Sequence, residues 1–266
     1  MPLEPTFGVA QLDGIDLAYQ VHGTGRPLVL LHGGFGSVAE FGPNVAALAN
    51  GRQLIGIDLQ AHGRTLAPDR AMRFETMADD VAGLIGHLGH EQADVMGFSL
   101  GGGVALRAAI QHPAAVRRLV LVSAPFRRSA WLPEHLDAFD AMGPETGVFM
   151  RQTPLYEAYI DLAPDPNDWP ILVDQLTTLL KLDYDWTAEA SRLPMSVMIV
   201  VGDADGISPR YAAECFELLG GGRRDAGWDR SGMTQHALAV LPRVTHYDIN
   251  VSPRLVEAVA TFLDEH

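Results

Sequence analysis

The chain has 266 residues, of which 47% are hydrophobic and 20% charged, a composition typical of a globular protein with a sizeable core. Its formal net charge is −14 and it has no basic run, which argues against nucleic acid and anionic membrane surfaces as partners. No apolar run reaches the roughly 18–20 residues that span a bilayer, and the first ten residues lack the pattern of a signal peptide. With a single cysteine, Cys215, that has no internal disulfide partner, we expect a cytoplasmic protein without membrane insertion.

The first part of the chain alternates between strand and helix patterns. Asp13-Gly14 joins two predicted strands in a hairpin, and the continuous apolar run at 27–31 is typical of a strand covered on both faces. A loop with almost no side chains follows, from His32 to Ser37. The strands predicted here cover residues 7–12, 15–21, 27–31 and 54–58, and the helices cover 44–49 and 75–88. This alternation predicts an α/β fold with a mostly parallel sheet between two layers of helices.

The stretch at 93–112, ADVMGFSLGGGVALRAAIQH, combines a short apolar strand, a sharp turn and a helix that stops at Pro113. A Gly-x-Ser-x-Gly turn in this context is typical of a nucleophile elbow. Gly97 and Gly101 allow strand and helix to approach closely, and the strained turn presents the hydroxyl of Ser99 near the helix N-terminus. We therefore predict Ser99 as a nucleophile, against the alternative of a glycine-rich turn with an incidental serine.

After a strand at 116–122, the strand pattern gives way to helical spacing of apolar residues up to about residue 192. Three of the four tryptophans lie in this stretch, at Trp131, Trp169 and Trp186. A proline-rich connector is predicted at 163–170. We predict a helical insertion over the ligand edge of the sheet, whose aromatic residues either line a pocket or hold the insertion together.

Strand patterns return at 196–201 and at 238–244. Between them, Ser208-Pro209 has the pattern of an N-cap and first helical residue, and Cys215 falls among apolar residues of that helix. The glycine-rich stretch at 220–233 predicts a long loop to which we assign no role, and an amphipathic helix at 253–263 ends the pattern.

A serine hydroxyl is a weak nucleophile, so it needs a neighbouring base and an acid that orients the base. In a fold of this kind the three follow in the order serine, acid, histidine. Three histidines follow the candidate acids: His236, which precedes a strand on the wrong edge, His266, the last residue, and His246, directly after a strand. His246 is therefore the predicted base. Asp203 and Asp205 both follow the strand at 196–201, and position alone does not choose between them.

Taken together, these motifs resemble the α/β-hydrolase superfamily, in its compact esterase, lactonase and peroxidase-like branch. The resemblance covers essentially the whole chain outside the helical insertion. It rests on His32-Gly33-Gly34, Asp58 with Gly63 and Arg64, the Gly97–Gly101 elbow, Gly202-x-x-Asp205-x-x-x-Pro209, and Thr245-His246-Tyr247. It implies an eight-stranded, mostly parallel sheet flanked by helices, with core segments at 1–122 and 193–266 and a helical cap at 123–192, after the sixth strand. It also implies Asp205 as the acid, with Asp203 in a turn.

The negative charge of a tetrahedral intermediate requires two oriented backbone N–H donors. One is expected at Leu100, directly after the nucleophile, and the resemblance implies Gly34 as the other. His32 is expected to support this glycine loop by hydrogen bonding, and His62 and Arg64 to hold the loop after the fourth strand.

The expected function is a serine hydrolase that cleaves small or medium carboxylic esters through an acyl-enzyme intermediate, without a cofactor or metal. The sequence has no phosphate-binding or dinucleotide-binding glycine motif, and His87 and His90 lack further predicted metal ligands. A lactonase, a carbon–carbon bond hydrolase and a cofactor-free perhydrolase would share the same triad. A ligand receptor on the same fold is the alternative of another class, and the oligomeric state is open.

Overall fold

The computed structural model describes residues 4–264, and within them eight strands form one sheet in the order β1-β2-β4-β3-β5-β6-β7-β8. The strands are β1 (Thr6–Leu12), β2 (Ile15–His22), β3 (Arg26–Leu31), β4 (Arg52–Ile57), β5 (Ala93–Phe98), β6 (Val116–Val122), β7 (Ser196–Ala204) and β8 (Ala237–Thr245). β2 pairs antiparallel with β1 and with β4, and the other neighbours pair parallel. The predicted eight-stranded, mostly parallel sheet is confirmed.

Helices cover both faces of this sheet. They are α1 (Asn44–Leu48), α2 (Phe74–His87), α3 (Leu100–Gln111), α4 (Pro133–Ala141), α5 (Pro144–Met150), α6 (Pro154–Ile160), α7 (Trp169–Lys181), α8 (Thr187–Ala190), α9 (Pro209–Leu218) and α10 (Pro253–Asp264). Short 3₁₀ helices lie at Val38–Phe41, Arg128–Ala130 and Pro166–Asp168. Within residues 4–264, no helix is both long and apolar enough to cross a bilayer.

The apolar run of β3 shows why the sheet is buried on both sides. Val29 and Leu31 pack into the cluster that includes α2 and α3, whereas Leu28 and Leu30 pack into the cluster that includes α1 and α10. All four side chains are fully buried, and burial of each such aliphatic side chain contributes about 1.5–3 kcal/mol. The strand is apolar at every position because successive side chains point to opposite faces of the sheet and both faces are covered.

Between β6 and β7 lies a stretch that we call the helical segment (residues 123–195), which contains α4 to α8. Backbone bonds join its two ends to each other and to the sheet edge. The N–H of Trp186 donates to the carbonyl of Phe126 at 2.9 Å, and the N–H of Leu132 donates to the carbonyl of Gly206 at 2.9 Å. The segment is thus attached beside the loop that follows β7.

Two of the elements predicted from the sequence differ from those in the structure. The connector predicted at 163–170 is shorter, because α7 begins at Trp169 and includes Pro170 in its first turn, where a missing N–H removes no helical bond. Asp203, expected in a turn, lies within β7. Its Oδ1 accepts hydrogen bonds from the N–H groups of Arg243 and Val244, at 2.7 and 3.3 Å, where the register between β7 and β8 shifts.

Candidate active site

Ser99 occupies the sharp turn between β5 and α3. Its φ of 52° is a left-handed value that a non-glycine residue rarely adopts. A Cβ on Gly97 would lie 2.1 Å from the carbonyl oxygen of Gly101, and a Cβ on Gly101 would lie 2.5 Å from the carbonyl oxygen of His32. Because these neighbours are backbone atoms, only glycine fits at both positions, and the strand and helix meet closely enough to hold the strained serine.

The structure brings Ser99, His246 and Asp205 together at the carboxyl edge of the sheet. His246 Nε2 lies 3.1 Å from Ser99 Oγ, and His246 Nδ1 lies 2.9 Å from Asp205 Oδ1. The carboxylate can only accept, so Nδ1 carries the proton and Nε2 of the neutral ring is free to accept the serine proton. His246 is 9% exposed, and the side chain of Asp205 is fully buried.

The carboxyl group of Asp205 is held by several donors. Besides His246, it accepts the N–H of Gly202 at 3.1 Å, the N–H of Gly206 at 2.6 Å and the hydroxyl of Ser123. Burial raises the pKa of this carboxyl, but the hydrogen bond and charge of His246, followed by Ser123 and Gly202, outweigh burial and hold the pKa below its usual range. The group is therefore ionised at neutral pH and can stabilise a charged imidazole.

Ser123, which the sequence analysis did not single out as a site residue, is the residue directly after β6. It has a φ of 50°, and its N–H donates to the carbonyl of Val200 at 2.9 Å. The only sequence signal for it is its place at the carboxyl end of a strand, since β6 lies between the strands that carry Ser99 and Asp205.

Gly34 and Leu100 both line the cavity that contains Ser99. Within residues 4–264, neither of their backbone N–H groups donates to a protein acceptor, whereas their neighbours are engaged. The N–H of Gly33 donates to Glu40 Oε1 at 2.6 Å, and that of Phe35 donates to a ring nitrogen of His62 at 3.1 Å. Two free donors thus remain beside the serine.

Two buried histidines hold this glycine loop. His32 donates from Nδ1 to the carbonyl of Gly33 at 2.7 Å and accepts at Nε2 from the N–H of Leu59 at 2.9 Å. His62 accepts from Phe35. Burial lowers the pKa of His32 to about 4 and that of His62 to about 3, so both rings are neutral at physiological pH.

The loop after β4 is fixed by Asp58. Its Oδ1 accepts the N–H of Val38 at 3.2 Å, and its Oδ2 accepts the backbone N–H and the guanidinium of Arg64 at 3.1 and 3.2 Å. Asp58 therefore ties this loop to the 3₁₀ helix that follows the glycine loop.

The cavity above Ser99 has a volume of about 760 Å³. Its walls are mainly apolar and come largely from the helical segment, including Trp131, Phe139, Met150, Leu176, Leu179 and Tyr184. Arg128 also reaches the cavity, but its guanidinium bonds Asp140 at 2.6 Å and the carbonyl of Leu180 at 2.8 Å. His135 packs with its ring 5.4 Å from that of His246, and burial lowers its pKa. The walls therefore suit an uncharged ligand.

A family model for the alpha/beta hydrolase fold matches residues 26–224. The chain belongs to the α/β-hydrolase family. It is 36% identical over 122 residues to the soluble epoxide hydrolase of Corynebacterium sp. (strain C12), a match that covers 46% of this chain and 43% of that protein. It is 38% identical over 112 residues to the 2-hydroxymuconate semialdehyde hydrolase of Pseudomonas sp. (strain CF600), with 38% and 37% covered.

The matches to these two curated relatives of this α/β hydrolase thus span less than half of each relative. A solved structure of E-2-(acetamidomethylene)succinate hydrolase superposes with a TM-score of 0.74 at 22% identity and covers 98% of this chain and 100% of that one. That likeness shows the fold. The two curated relatives differ in what they act on, since one is named an epoxide hydrolase and the other a 2-hydroxymuconate semialdehyde hydrolase.

In this α/β hydrolase His236, one of the other histidines considered from the sequence, bonds a backbone N–H at the start of β7 instead of the serine. His236 accepts the N–H of Val197 at Nδ1, at 3.2 Å, and His266 lies outside the described residues. Within residues 4–264, no group of three His, Cys, Asp or Glu side chains is placed to hold a metal ion. Of the two aspartates, Asp205 faces His246 and Asp203 faces β8.

Proposed function

We propose that this α/β hydrolase is a serine hydrolase that cleaves small or medium carboxylic esters through an acyl-enzyme intermediate. The observation that carries the proposal is the position of His246, with Nε2 3.1 Å from the hydroxyl of Ser99 and Nδ1 2.9 Å from the buried carboxylate of Asp205. A hydroxyl paired with a neutral imidazole that is oriented by a carboxylate is a nucleophile with its general base.

In the proposed reaction Ser99 Oγ attacks the ester carbonyl carbon while its proton moves to His246 Nε2. Asp205 stabilises the imidazolium, and the N–H groups of Gly34 and Leu100 bind the oxyanion. Loss of one such donor costs about 3–4 kcal/mol of transition-state stabilisation. The carbon–oxygen bond to the alcohol then breaks, and the alcohol leaves with the proton from His246.

The second half of the proposed reaction releases the acid. Water gives a proton to His246 Nε2 and attacks the acyl-enzyme carbonyl, and collapse of the second tetrahedral intermediate breaks the bond to Ser99 Oγ, which takes the proton back. The free enzyme is restored with no net change in its atoms.

The cavity supports the proposed substrate class. Apolar walls and a volume of about 760 Å³ favour esters with uncharged acyl and alcohol groups. We assign residues 123–192 as a cap that carries most of these walls, and residues 1–122 and 193–266 as the core that carries the triad. The guanidinium at the wall, on Arg128, is already paired with Asp140, which supports an uncharged substrate.

The test compares wild type with Ser99→Ala on p-nitrophenyl acetate and butyrate. Ser99→Ala is expected to lower kcat/KM by at least about a thousandfold, because it removes the nucleophile. Ser191→Ala is the matched control, since that hydroxyl is exposed and donates to the nearby carbonyl of Ala188 at 2.9 Å. Equal rates in wild type and Ser99→Ala would reject the proposal.

A fluorophosphonate probe gives an independent measurement on the same proteins. It is expected to label wild type once per chain and to leave Ser99→Ala unlabelled. Labelling of wild type without turnover of any ester or lactone in a substrate panel would identify a ligand receptor instead of an enzyme.

A further inference from the structure

The proposed mechanism leaves one carboxyl group of the cavity without a role, that of Glu40. Its Oε1 accepts the N–H of Gly33 at 2.6 Å. Its other oxygen lies against Gly36, where an added Cβ would come within 2.1 Å of Oε2. The carboxyl group therefore fills the inside of the Gly33–Gly36 loop, which carries the free N–H of Gly34.

The main chain of Glu40 is connected to the segment that carries the base. Its carbonyl accepts the side-chain N–H of Asn250 at 2.9 Å, and the carbonyl of Asn250 accepts the side chain of Asn44 at 2.8 Å. Asn250 lies in the loop that follows His246. Glu40 thus joins the glycine loop on one side of the cavity to the histidine on the other.

The surroundings of Glu40 offer no compensating charge. Within residues 4–264 it forms no ion pair, and burial raises its pKa to about 8, with the Gly33 hydrogen bond offsetting this only in part. At neutral pH the carboxyl group therefore carries a proton. A carboxylic acid in this position accepts the Gly33 N–H without placing a charge beside Gly34.

The other titratable groups around this cavity come from four elements. His32, on the same loop, is neutral because burial lowers its pKa to about 4. His246 and Tyr247 follow β8 and line the cavity, as do Arg128, His135 and Tyr184 of the helical segment. After β4, Asp58 is engaged by the N–H of Val38 and by Arg64 instead of by Glu40.

We propose that Glu40 is a positioning residue that holds the glycine loop as a neutral acid, and that its ionisation disables the oxyanion site beside it. The inference rests on the proposed roles of Ser99 and Gly34. A carboxylate bonded to the N–H of Gly33 would repel the negative charge that develops at the next residue. A neutral group of the same shape would keep the loop in place at any pH.

The experiment is a kcat profile from about pH 6 to about pH 10 with p-nitrophenyl butyrate, for wild type, Glu40→Gln and Glu257→Gln. Glu257, an exposed residue of α10, is the matched control for loss of a glutamate. Wild type and Glu257→Gln are expected to lose kcat above about pH 8, by about tenfold for each further pH unit. Glu40→Gln is expected to keep its kcat there, with KM changed less than twofold.

The same alkaline loss of kcat in Glu40→Gln would overturn the inference. Failure of the proposed function has a different signature, because Ser99→Ala would then hydrolyse the ester as fast as wild type at every pH.

An infrared titration tests the protonation state without turnover. Wild type is expected to show the carbonyl band of a protonated carboxylic acid at pH 7, which disappears with a midpoint at about pH 8. Glu40→Gln is expected to lack this band. Absence of the band in wild type at pH 7 would overturn the inference even if Glu40→Gln failed to fold.

Discussion

Removal of the Ser123 hydroxyl tests how the acid of the site is held. In wild type this hydroxyl donates to Asp205 Oδ2, and the Asp205 side chain is fully buried. Ser123→Ala leaves that oxygen with the N–H of Gly202 as its remaining donor. Alanine has the same Cβ as serine, so the backbone strain at a φ of 50° does not change. The substitution therefore isolates one hydrogen bond.

The expected magnitude follows from that burial. A hydrogen bond to a charged group contributes about 1.5–3 kcal/mol, and a protein of this size loses about 2–4 °C in Tm per kcal/mol, which gives a decrease of about 3–12 °C. We expect kcat to fall about tenfold, equivalent to about 1.4 kcal/mol, because Asp205 orients His246 less firmly. The pKa of Asp205 rises toward its usual value, so the stability that this carboxylate provides is lost at a higher pH on acidification.

Thermal melts and p-nitrophenyl butyrate turnover measure both effects. Ser191→Ala is the control, because its hydroxyl is exposed and an exposed substitution changes stability by less than about 0.5 kcal/mol. If Ser123→Ala had the same Tm and kcat as Ser191→Ala, the hydroxyl would contribute nothing to the buried carboxylate, and the reasoning would be refuted.

The remaining predictions concern the acid and the elbow. Asp205→Asn is expected to lower kcat by about 10³–10⁴-fold, because it favours the wrong tautomer of His246. Asp203→Asn should lower kcat less than tenfold, since Asp203 bonds β8. A larger loss of kcat with Asp203→Asn than with Asp205→Asn would make Asp203 the acid. Gly101→Ala is expected to destabilise the fold by more than about 3 kcal/mol, since its Cβ would strike backbone oxygens. Gly86→Ala, in an open position of α2, is the control and should stabilise the fold by about 0.5–1 kcal/mol. Equal melting temperatures for Gly101→Ala and Gly86→Ala would contradict the close packing at the elbow.

Much of the fold could be predicted because its signals are local. The apolar run of β3 has to be buried on both faces, and Ser208 caps α9 by accepting the N–H of Tyr211 at 3.2 Å, as its pattern indicates. Asp203 was placed wrongly because hydrophobicity ends at Val201 while backbone pairing with β8 continues to Ala204. A pattern of side chains does not report backbone hydrogen bonds.

The same distinction applies to the site. The conformation of Ser99 is set by glycines two residues away, so a short motif predicts it. Whether Asp203 or Asp205 faces the histidine depends on a contact across 41 positions, and the bond of Ser123 to Asp205 spans 82. The order of the strands in the sheet decides which of these distant residues meet. A single sequence does not give that order, except through its resemblance to a family of known fold.

The helical segment is attached to the rest of the chain in a way that keeps the outer wall of the cavity apart from the residues around Asp205. Backbone hydrogen bonds join the ends of the segment to each other and to Gly206, the residue after Asp205. The helix α5 is instead bonded to α7, because the indole N–H of Trp169 donates to the carbonyl of Gly147 at 3.0 Å. Phe149, on α5, reaches the cavity and is 68% exposed. A substitution on α5 can therefore change the walls of the cavity while the hydrogen bonds around Asp205 stay as they are.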